Sequence, residues 1–441
     1  MKTAGIIAEY NPFHNGHRYQ IEELRARTGA DFVIIAMSGD FVQRGEPAVF
    51  DKYTRTRMAL NAGADLVLEL PAAFATSSAE DFAACGVALF DKLGVVDLLC
   101  FGSECGDVAA LEPVARLLAK EPEGYGKLLQ ERLSKGDSFP KAREWAVTEW
   151  MKREINTDGA DMQALLSSPN NILGIEYMKA LIRRGSSIDP YTIQRNGQGY
   201  NDSDIDAVTD GQGFASASAI RKALRGDNFK TNETNIDRAA IAEAIRAQIP
   251  DRAASDLDSI TPVFPNDLSA LLNYRLLDLA ASKRNLTDFS DVSPELADRI
   301  GHRLLETNSY TGRIEQLKTR QYTYTRISRT LLHILLGTTA EQIQSYRAND
   351  YSPYARILGF RKNAVWLLSE LKKHSQIPLI SKTADAERVL TQFPWKKPDS
   401  ENQALHSFRY DLHCAHIYQS IVYQKNGVLP RNEYTHSIVL V

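Results

Sequence analysis

Just after an apolar run at Ala4–Ala8 the chain reads Glu9-Tyr10-Asn11-Pro12-Phe13-His14-Asn15-Gly16-His17. Two histidines three residues apart bring ring N–H donors to one side of a helix start. The glycine between them lets a ligand come close. A strand-to-helix turn adds free backbone N–H groups and the positive end of the helix dipole, so an anion such as a phosphate is favoured there. Pro12 stiffens the approach. A lone histidine at such a place is more often a cap or a packed core group. The complete pattern, in a strand–loop–helix setting, tips the balance to anion binding.

The elements around this loop fix where the anion would sit. Apolar runs at Ala4–Ala8, Phe32–Met37, Leu66–Leu70 and Asp97–Phe101 alternate with helical patterns at His17–Arg27, Lys52–Asn61 and Ala79–Leu93. Strands apolar throughout and separated by helices indicate a parallel sheet covered on both faces. That is a Rossmann-like, doubly wound α/β domain, with ligands beyond the carboxyl ends of its strands. Helical patterns continue at Val108–Ala119, Gly124–Lys152 and Pro169–Arg184, then a late strand at Tyr191–Arg195 and a short helix at Ala217–Leu224. The polar stretch after Gly226 reads as a boundary. Beyond it the chain is mainly helical, notably over Asp267–Ala281 and Arg326–Leu336, with a small α+β end. Three units are expected: 1–226 as an ATP-binding α/β domain, 227–345 as a helical domain, and 346–441 as a C-terminal element.

Composition sets outer limits. The chain has 441 residues, 43% hydrophobic and 24% charged, with 52 basic against 55 acidic residues and a net charge of −3. These values exclude disordered, collagen-like and fibrous classes. Four cysteines, none in a CxxC pair, suit a reduced cytoplasmic compartment rather than a disulfide framework. The N-terminal apolar stretch is too short for a secretion signal, and no run could span a bilayer, so no membrane role is expected. GxSxG and Walker A patterns are absent, which leaves serine-hydrolase and P-loop readings without support. Asp411, His413 and His416 could be drawn as metal ligands, but no matching cluster exists elsewhere and a structural role is favoured.

HNGH after a first Rossmann-like strand resembles the HxGH signature of the nucleotidyltransferase superfamily that includes the class I aminoacyl-tRNA synthetases. Ser216-Ala217-Ser218-Ala219-Ile220-Arg221 resembles that superfamily's ISSTxIR element. GIIAEYNPFHNGHRY, MSGDFVQRGEPAVFDKYTRTRMALNAGADLVLELP, FGSE, SPNNILGIEYMKAL, FASASAIR and KTRQYTYTRISRTLLHILLG are similar to successive blocks of one family, the tRNA(Met) cytidine acetate ligases. They run from the N-terminus to about Gly337. One departure is Asn201 in GYND, where the family pattern has histidine.

The resemblance implies a ligase that joins acetate to ATP as acetyl-adenylate. The acetyl group then passes to the exocyclic amine of the wobble cytidine of elongator tRNA(Met), giving N4-acetylcytidine and AMP. It implies His14 and His17 on the phosphates, with Ser216, Ser218 and Arg221 gripping the leaving pyrophosphate. The ATP site would further comprise Ile7, Ala8, Glu9, Tyr10, Asn11, Pro12, Phe13, Gly16, Gln20, Gly102, Ser103, Asn170, Asn171, Arg195 and Asn196. Gly102 would leave room for adenosine, and Asn170 and Asn171 are equally well read as helix caps. Mg²⁺ would neutralise charge, ligated mostly by phosphate and water, with no protein metal site. Arg44, in the loop after the second strand, could receive acetate or be merely solvated. No protein partner is implied.

A net charge of −3 looks adverse to RNA, yet the charge is unevenly placed. Residues 301–375 carry twelve lysines and arginines against five acids, with Tyr322, Tyr324, Tyr346, Tyr351 and Tyr354 interleaved. Cations for phosphates and aromatic faces for unstacked bases suit a single-stranded RNA loop, and a solvated helix face is the plainer alternative. Lys318, Arg320, Arg326 and Arg329 are the expected tRNA contacts. Two other functions remain open at this point: an adenylyltransferase acting on a small-molecule nucleotide, which needs no basic helical region, and a non-catalytic RNA-binding protein.

Overall fold

In the computed structural model of the chain, residues 1–155, 159–195, 214–225, 243, 246–250, 260–395 and 400–441 are described. The expected boundary at Gly226, together with Asn196 and Asn201, lies outside them. The first strands are β1 (Thr3–Ala8) and β2 (Phe32–Ser38), followed by a small antiparallel hairpin, β3 (Phe41–Val42) and β4 (Glu46–Pro47). Next come β5 (Leu66–Leu70), β6 (Leu98–Ser103) and β7 (Asp189–Gln194). The larger strands pair in parallel in the order β5-β2-β1-β6-β7, as expected from the mainly apolar runs of β1, β2 and β6.

Side chains alternate across this sheet. Ile7, Ile34, Leu66, Leu68 and Phe101 enter one apolar layer, beneath the helices Ala79–Leu93 and Pro169–Arg184. Ile6, Val33, Ile35, Val67 and Cys100 enter the other, with Ile21 and Leu24 of the helix Asn15–Thr28 and Met58 and Leu60 of Lys52–Asn61. β1 is central, so its carboxyl end and the loop that follows sit in the middle of the ligand-binding edge.

Residues 346–441 return to the same sheet. β8 (Ala355–Phe360) lies antiparallel on β5, with β9 (Leu379–Ile380) and β10 (Val439–Leu440) parallel to it. The strand-like C-terminal end therefore joins the N-terminal domain and covers what would be its open β5 edge. Buried ion pairs fix it there. Glu69 of β5 meets Arg356 of β8 at 2.8 Å, Lys52 meets Glu69 at 2.8 Å, and Glu433 bonds both Lys52 (3.0 Å) and Arg356 (2.6 Å).

The helical region comprises Ser269–Ala281, Pro294–His302, Tyr310–Leu317, Tyr324–Leu336 and Ala340–Ala348. Its core is continuous with the first apolar layer of the sheet, and the boundary expected at 345 falls within the last of these helices. Tyr324–Leu336 begins at Thr323, whose hydroxyl accepts from the Arg326 N–H, and ends at Gly337 in the left-handed region (φ 78°). It buries Ile327, Leu331 and Ile334 along one face. Among the described residues, no helix is long and apolar enough to cross a membrane.

Candidate active site

The loop after β1 turns its histidines by their own hydrogen bonds. His14 caps the helix Asn15–Thr28: its Nδ1 accepts from the Gly16 N–H at 3.0 Å, while His17 Nδ1 accepts from the His14 N–H at 3.3 Å. This is a reciprocal capping box made by two imidazoles. With both Nδ1 atoms accepting, the proton of each neutral ring belongs on Nε2. Burial, reinforced by Arg195 and Arg221, holds His14 down at about 3. Burial first, then His14 and Arg195, lowers His17 well below its ordinary value. Capping and ligand binding are thus compatible: one nitrogen caps, and the other offers a neutral N–H donor. The ring centroids are 3.8 Å apart.

Gly16 lines the cavity and is also held to glycine by a neighbour. A Cβ there would meet His14 Cε1 at 2.9 Å and Nδ1 at 3.0 Å.

Opposite the histidines stands the helix Ala217–Arg225. Ser216 Oγ accepts from the Ala219 N–H at 3.1 Å, so this serine caps the helix. Arg221 donates to Asn11 O at 2.6 Å and to Ser218 Oγ at 3.2 Å, which ties SASAIR to the loop after β1. Its buried Nε has no hydrogen-bond partner among the described residues. The third wall is the turn after β6. There the Glu104 carboxylate accepts from the Asn170 Nδ2 (2.7 Å) and from the Asn171 N–H (2.8 Å), holding the start of Pro169–Arg184. Asn171 Oδ1 accepts in return from the Glu104 and Cys105 N–H groups (3.0 and 3.1 Å). Arg195 reaches Asn170 Oδ1 at 3.4 Å and lies over Gly102, whose missing Cβ would be 3.4 Å from Arg195 Cγ.

These walls enclose a cavity of about 300 Å³ at the carboxyl edge of the sheet. It brings together His14, His17, Ser216, Ser218, Arg221, Ile7, Ala8, Glu9, Tyr10, Asn11, Gly16, Gln20, Gly102, Asn170 and Arg195. Pro12, Phe13, Ser103 and Asn171 do not line it. Phe13 packs edge-on to Tyr10 (4.7 Å between centroids), Ser103 bonds Thr192 Oγ1 at 2.7 Å, and Asn171 is spent on the turn just described. Among the described lining residues, Arg44, Arg195 and Arg221 face one carboxylate, Glu9, a balance that suits a polyanion. Among the described residues there is no group of three metal-ligating side chains.

The cavity also holds Gln43, Phe82, Phe101 and Tyr177, which the sequence reading did not select as site residues. Asn170, Leu173 and Tyr177 all line it from one helix at i, i+3 and i+7 spacing, a signal that was there to use. Gln43 and Arg44 sit at the tip of the β3–β4 hairpin, and the Gln43 N–H donates to Glu9 Oε1 at 2.9 Å. Gly45 (φ 76°) presses on the helix Tyr324–Leu336: a Cβ there would be 2.3 Å from the Arg329 nitrogen. Its carbonyl accepts from Ser328 Oγ (2.8 Å) and Tyr310 Oη (3.0 Å). One hairpin therefore touches both the cavity and the basic helix.

The basic segment is less exposed than its composition suggests. Arg313 is buried with four hydrogen bonds, and Arg356 belongs to the ion network under β8. Tyr322, Tyr346 and Tyr354 are buried. Arg329 pairs with Asp291 at 3.3 Å, and Lys318 lies 3.8 Å from Glu315. Arg326 stacks over Tyr322 at 4.9 Å, and Arg320 remains 80% exposed. Asp411, the centre of the rejected metal cluster, accepts from the Ala72 N–H at 2.8 Å inside the core.

Comparison with known proteins decides the family. A model described as HIGH Nucleotidyl Transferase matches residues 1–431. A tRNA(Met) cytidine acetate ligase of Acetivibrio thermocellus is 38% identical over 441 residues, covering all of both chains. The chain belongs to this family. A Clostridium acetobutylicum member is 36% identical, again over the full length of both. The crystal structure of Thermotoga maritima TmcAL bound with alpha-thio ATP superposes with a TM-score of 0.87 at 29% identity, and the apo form with 0.89 at 30%; both cover all of each chain. The doubly wound α/β reading of the sequence agrees with these folds.

Proposed function

We propose that the chain activates acetate with ATP and transfers the acetyl group to the exocyclic amine of the wobble cytidine of elongator tRNA(Met). The observation that carries this reading is the pair of histidines whose Nδ1 atoms accept backbone bonds, which leaves Nε2 of each ring as a donor in a cavity shared with Arg221, where arginines outnumber acids. It is supported by the ATP analogue named for the Thermotoga maritima structure and by the names of the full-length relatives.

The chemistry asks little covalent work of the protein. A carboxylate oxygen of acetate attacks the α-phosphorus of ATP, the bond to the bridging β-oxygen breaks, and pyrophosphate leaves with that electron pair. The cytidine amine then adds to the acyl carbon, AMP leaves, and the amine gives up a proton. Negative charge shifts onto phosphate oxygens in the first step, so fixed donors and cations in a buried cleft lower its barrier. His14 and His17, as neutral rings, donate charge-assisted hydrogen bonds to the phosphate oxygens, and Arg221, braced by Asn11 and Ser218, holds the departing pyrophosphate. Mg²⁺ bound to the nucleotide would supply further charge neutralisation. Arg195 and Gly102 shape the nucleoside end.

Lys318, Arg320, Arg326 and Arg329 lie on the tRNA side of this reading. The hairpin that joins Arg44 to the helix Tyr324–Leu336 supports a path from that face to the cavity. The reaction would run in the reducing cytoplasm, where the chain's four free thiols are stable. An adenylyltransferase for small nucleotides would need no such helical face. A mere RNA binder would need no paired histidine donors. Acetate-dependent exchange of labelled pyrophosphate into ATP tests the first half-reaction. Exchange that ignores acetate would refute it.

A further inference from the structure

The cavity lining has an apolar side, here called its second lobe, that the phosphate chemistry does not use. Side chains alternate along β1, so the two faces of the sheet meet the cavity with different chemistry. Tyr10 and Phe13, which pack against the His17 ring, belong to one apolar layer. Ile7, Phe82, Phe101 and Tyr177 belong to the other and line the same cavity. Ala79, one turn before Phe82 on its helix, adds a small wall. The Phe101 and Tyr177 rings lie 5.8 Å apart.

Tyr177 is 2% exposed, and its hydroxyl has no hydrogen-bond partner among the described residues. A buried hydroxyl is seldom left unpaired, because it forfeits its bonds to water. The Tyr10 hydroxyl has no partner among the described residues either, but the titratable group that bears on it is the core thiol Cys100. For Tyr177 that group is Glu9, a lining residue at the end of β1. Burial also keeps Tyr177 protonated, hence a donor, throughout the working pH range.

We infer that this lobe is the acyl subsite: Ile7, Ala79, Phe82 and Phe101 enclose the methyl group of a two-carbon carboxylic acid, and the Tyr177 hydroxyl donates to its non-attacking oxygen. This rests on the acetate-activating reading above. One carboxylate oxygen forms the new bond to the α-phosphorus. The other needs a donor that does not compete for that bond, and an O–H meets this need. The same oxygen gathers negative charge when the cytidine amine adds to the acyl carbon, so one hydroxyl serves both steps. Large buried walls make the lobe selective for short chains. Each extra methylene has to displace packed side chains.

The test is pyrophosphate exchange driven by acetate, propionate or butyrate in the wild-type protein, Tyr177→Phe and Phe82→Ala, with ATP binding measured alongside. Tyr177→Phe is nearly isosteric. It should raise the KM for acetate roughly ten- to hundredfold, as expected for a lost hydrogen bond to a charged group, with ATP affinity unchanged. Phe82→Ala should shift preference from acetate toward butyrate by about tenfold or more. Should Phe82→Ala not fold, Tyr177→Phe decides alone. An unchanged acetate KM in Tyr177→Phe, or a loss of ATP affinity there, would overturn the subsite. Absence of acetate-dependent exchange in the wild-type protein would instead sink the reading on which it rests.

Discussion

Substituting Gly16 by alanine separates the fold from the site. Gly16 sits in the first turn of Asn15–Thr28, where alanine is the better helix former by about 1 kcal/mol. Against this, the new Cβ would meet His14 Cε1 at 2.9 Å and Nδ1 at 3.0 Å, where ordinary contact begins at 3.4 Å. The ring must recede by about half an ångström, and strain of this kind costs about 1–3 kcal/mol. Stability should therefore change by no more than about 2 kcal/mol, read by thermal or denaturant unfolding. Function should change more. The retreat breaks the 3.0 Å bond that orients His14, and with it the direction of Nε2–H. Losing a charge-assisted donor is worth about 1.5–3 kcal/mol, so kcat/KM for pyrophosphate exchange should fall roughly ten- to hundredfold. A folded Gly16→Ala protein with wild-type kcat/KM would refute the capping-and-donation role.

Four other outcomes follow from the same geometry. Imidazole NMR should find His14 and His17 neutral, with the proton on Nε2, from pH 8 down to about 5; a midpoint near 6.5 would contradict the account. Because His14 is depressed to about 3, the unfolded chain takes up its proton below about 6.5 and the folded chain does not. This site should therefore cost stability as pH falls from about 6.5 toward about 3. Glu104→Gln should lower stability by about 0.5–2 kcal/mol through the start of Pro169–Arg184. It should also raise the KM for ATP, because Asn170 and Arg195 lose their brace; an unchanged KM would remove Glu104 from the site's support. Arg320→Ala with Arg326→Ala should weaken tRNA binding and reduce the slope of log K against log salt by about 1.5. An unaltered slope would move the RNA surface elsewhere.

What could be read from the sequence was local. The carboxyl end of β1, the HNGH turn and the helix after it lie within a few residues of one another, and their spacing carries the geometry. The same holds for the strands β2 and β5, whose apolar runs need no distant partner to be recognised. Long-range pairing left no such trace. Nothing in Ala355–Phe360 says that it lies antiparallel on β5, or that Glu433 closes an ion network with Lys52 and Arg356. Charge counting failed for a related reason: it cannot distinguish Arg320, which is exposed, from Arg313, whose guanidinium holds backbone carbonyls in the interior. SASAIR was legible as a site element, but the capping bond of Ser216 and the bond from Arg221 to Asn11 needed coordinates. Tyr177 was overlooked because its neighbours looked like ordinary core. What sets it apart is a hydroxyl without a partner among the described residues, together with Glu9 nearby.

The most direct test follows the carbon. The wild-type protein is incubated with MgATP, labelled acetate and an elongator tRNA(Met) transcript, and the RNA is digested to nucleosides. The account predicts label in N4-acetylcytidine from the wobble position, with one AMP released for each acetyl transferred. Label that never enters RNA, or transfer that proceeds without ATP, would contradict it.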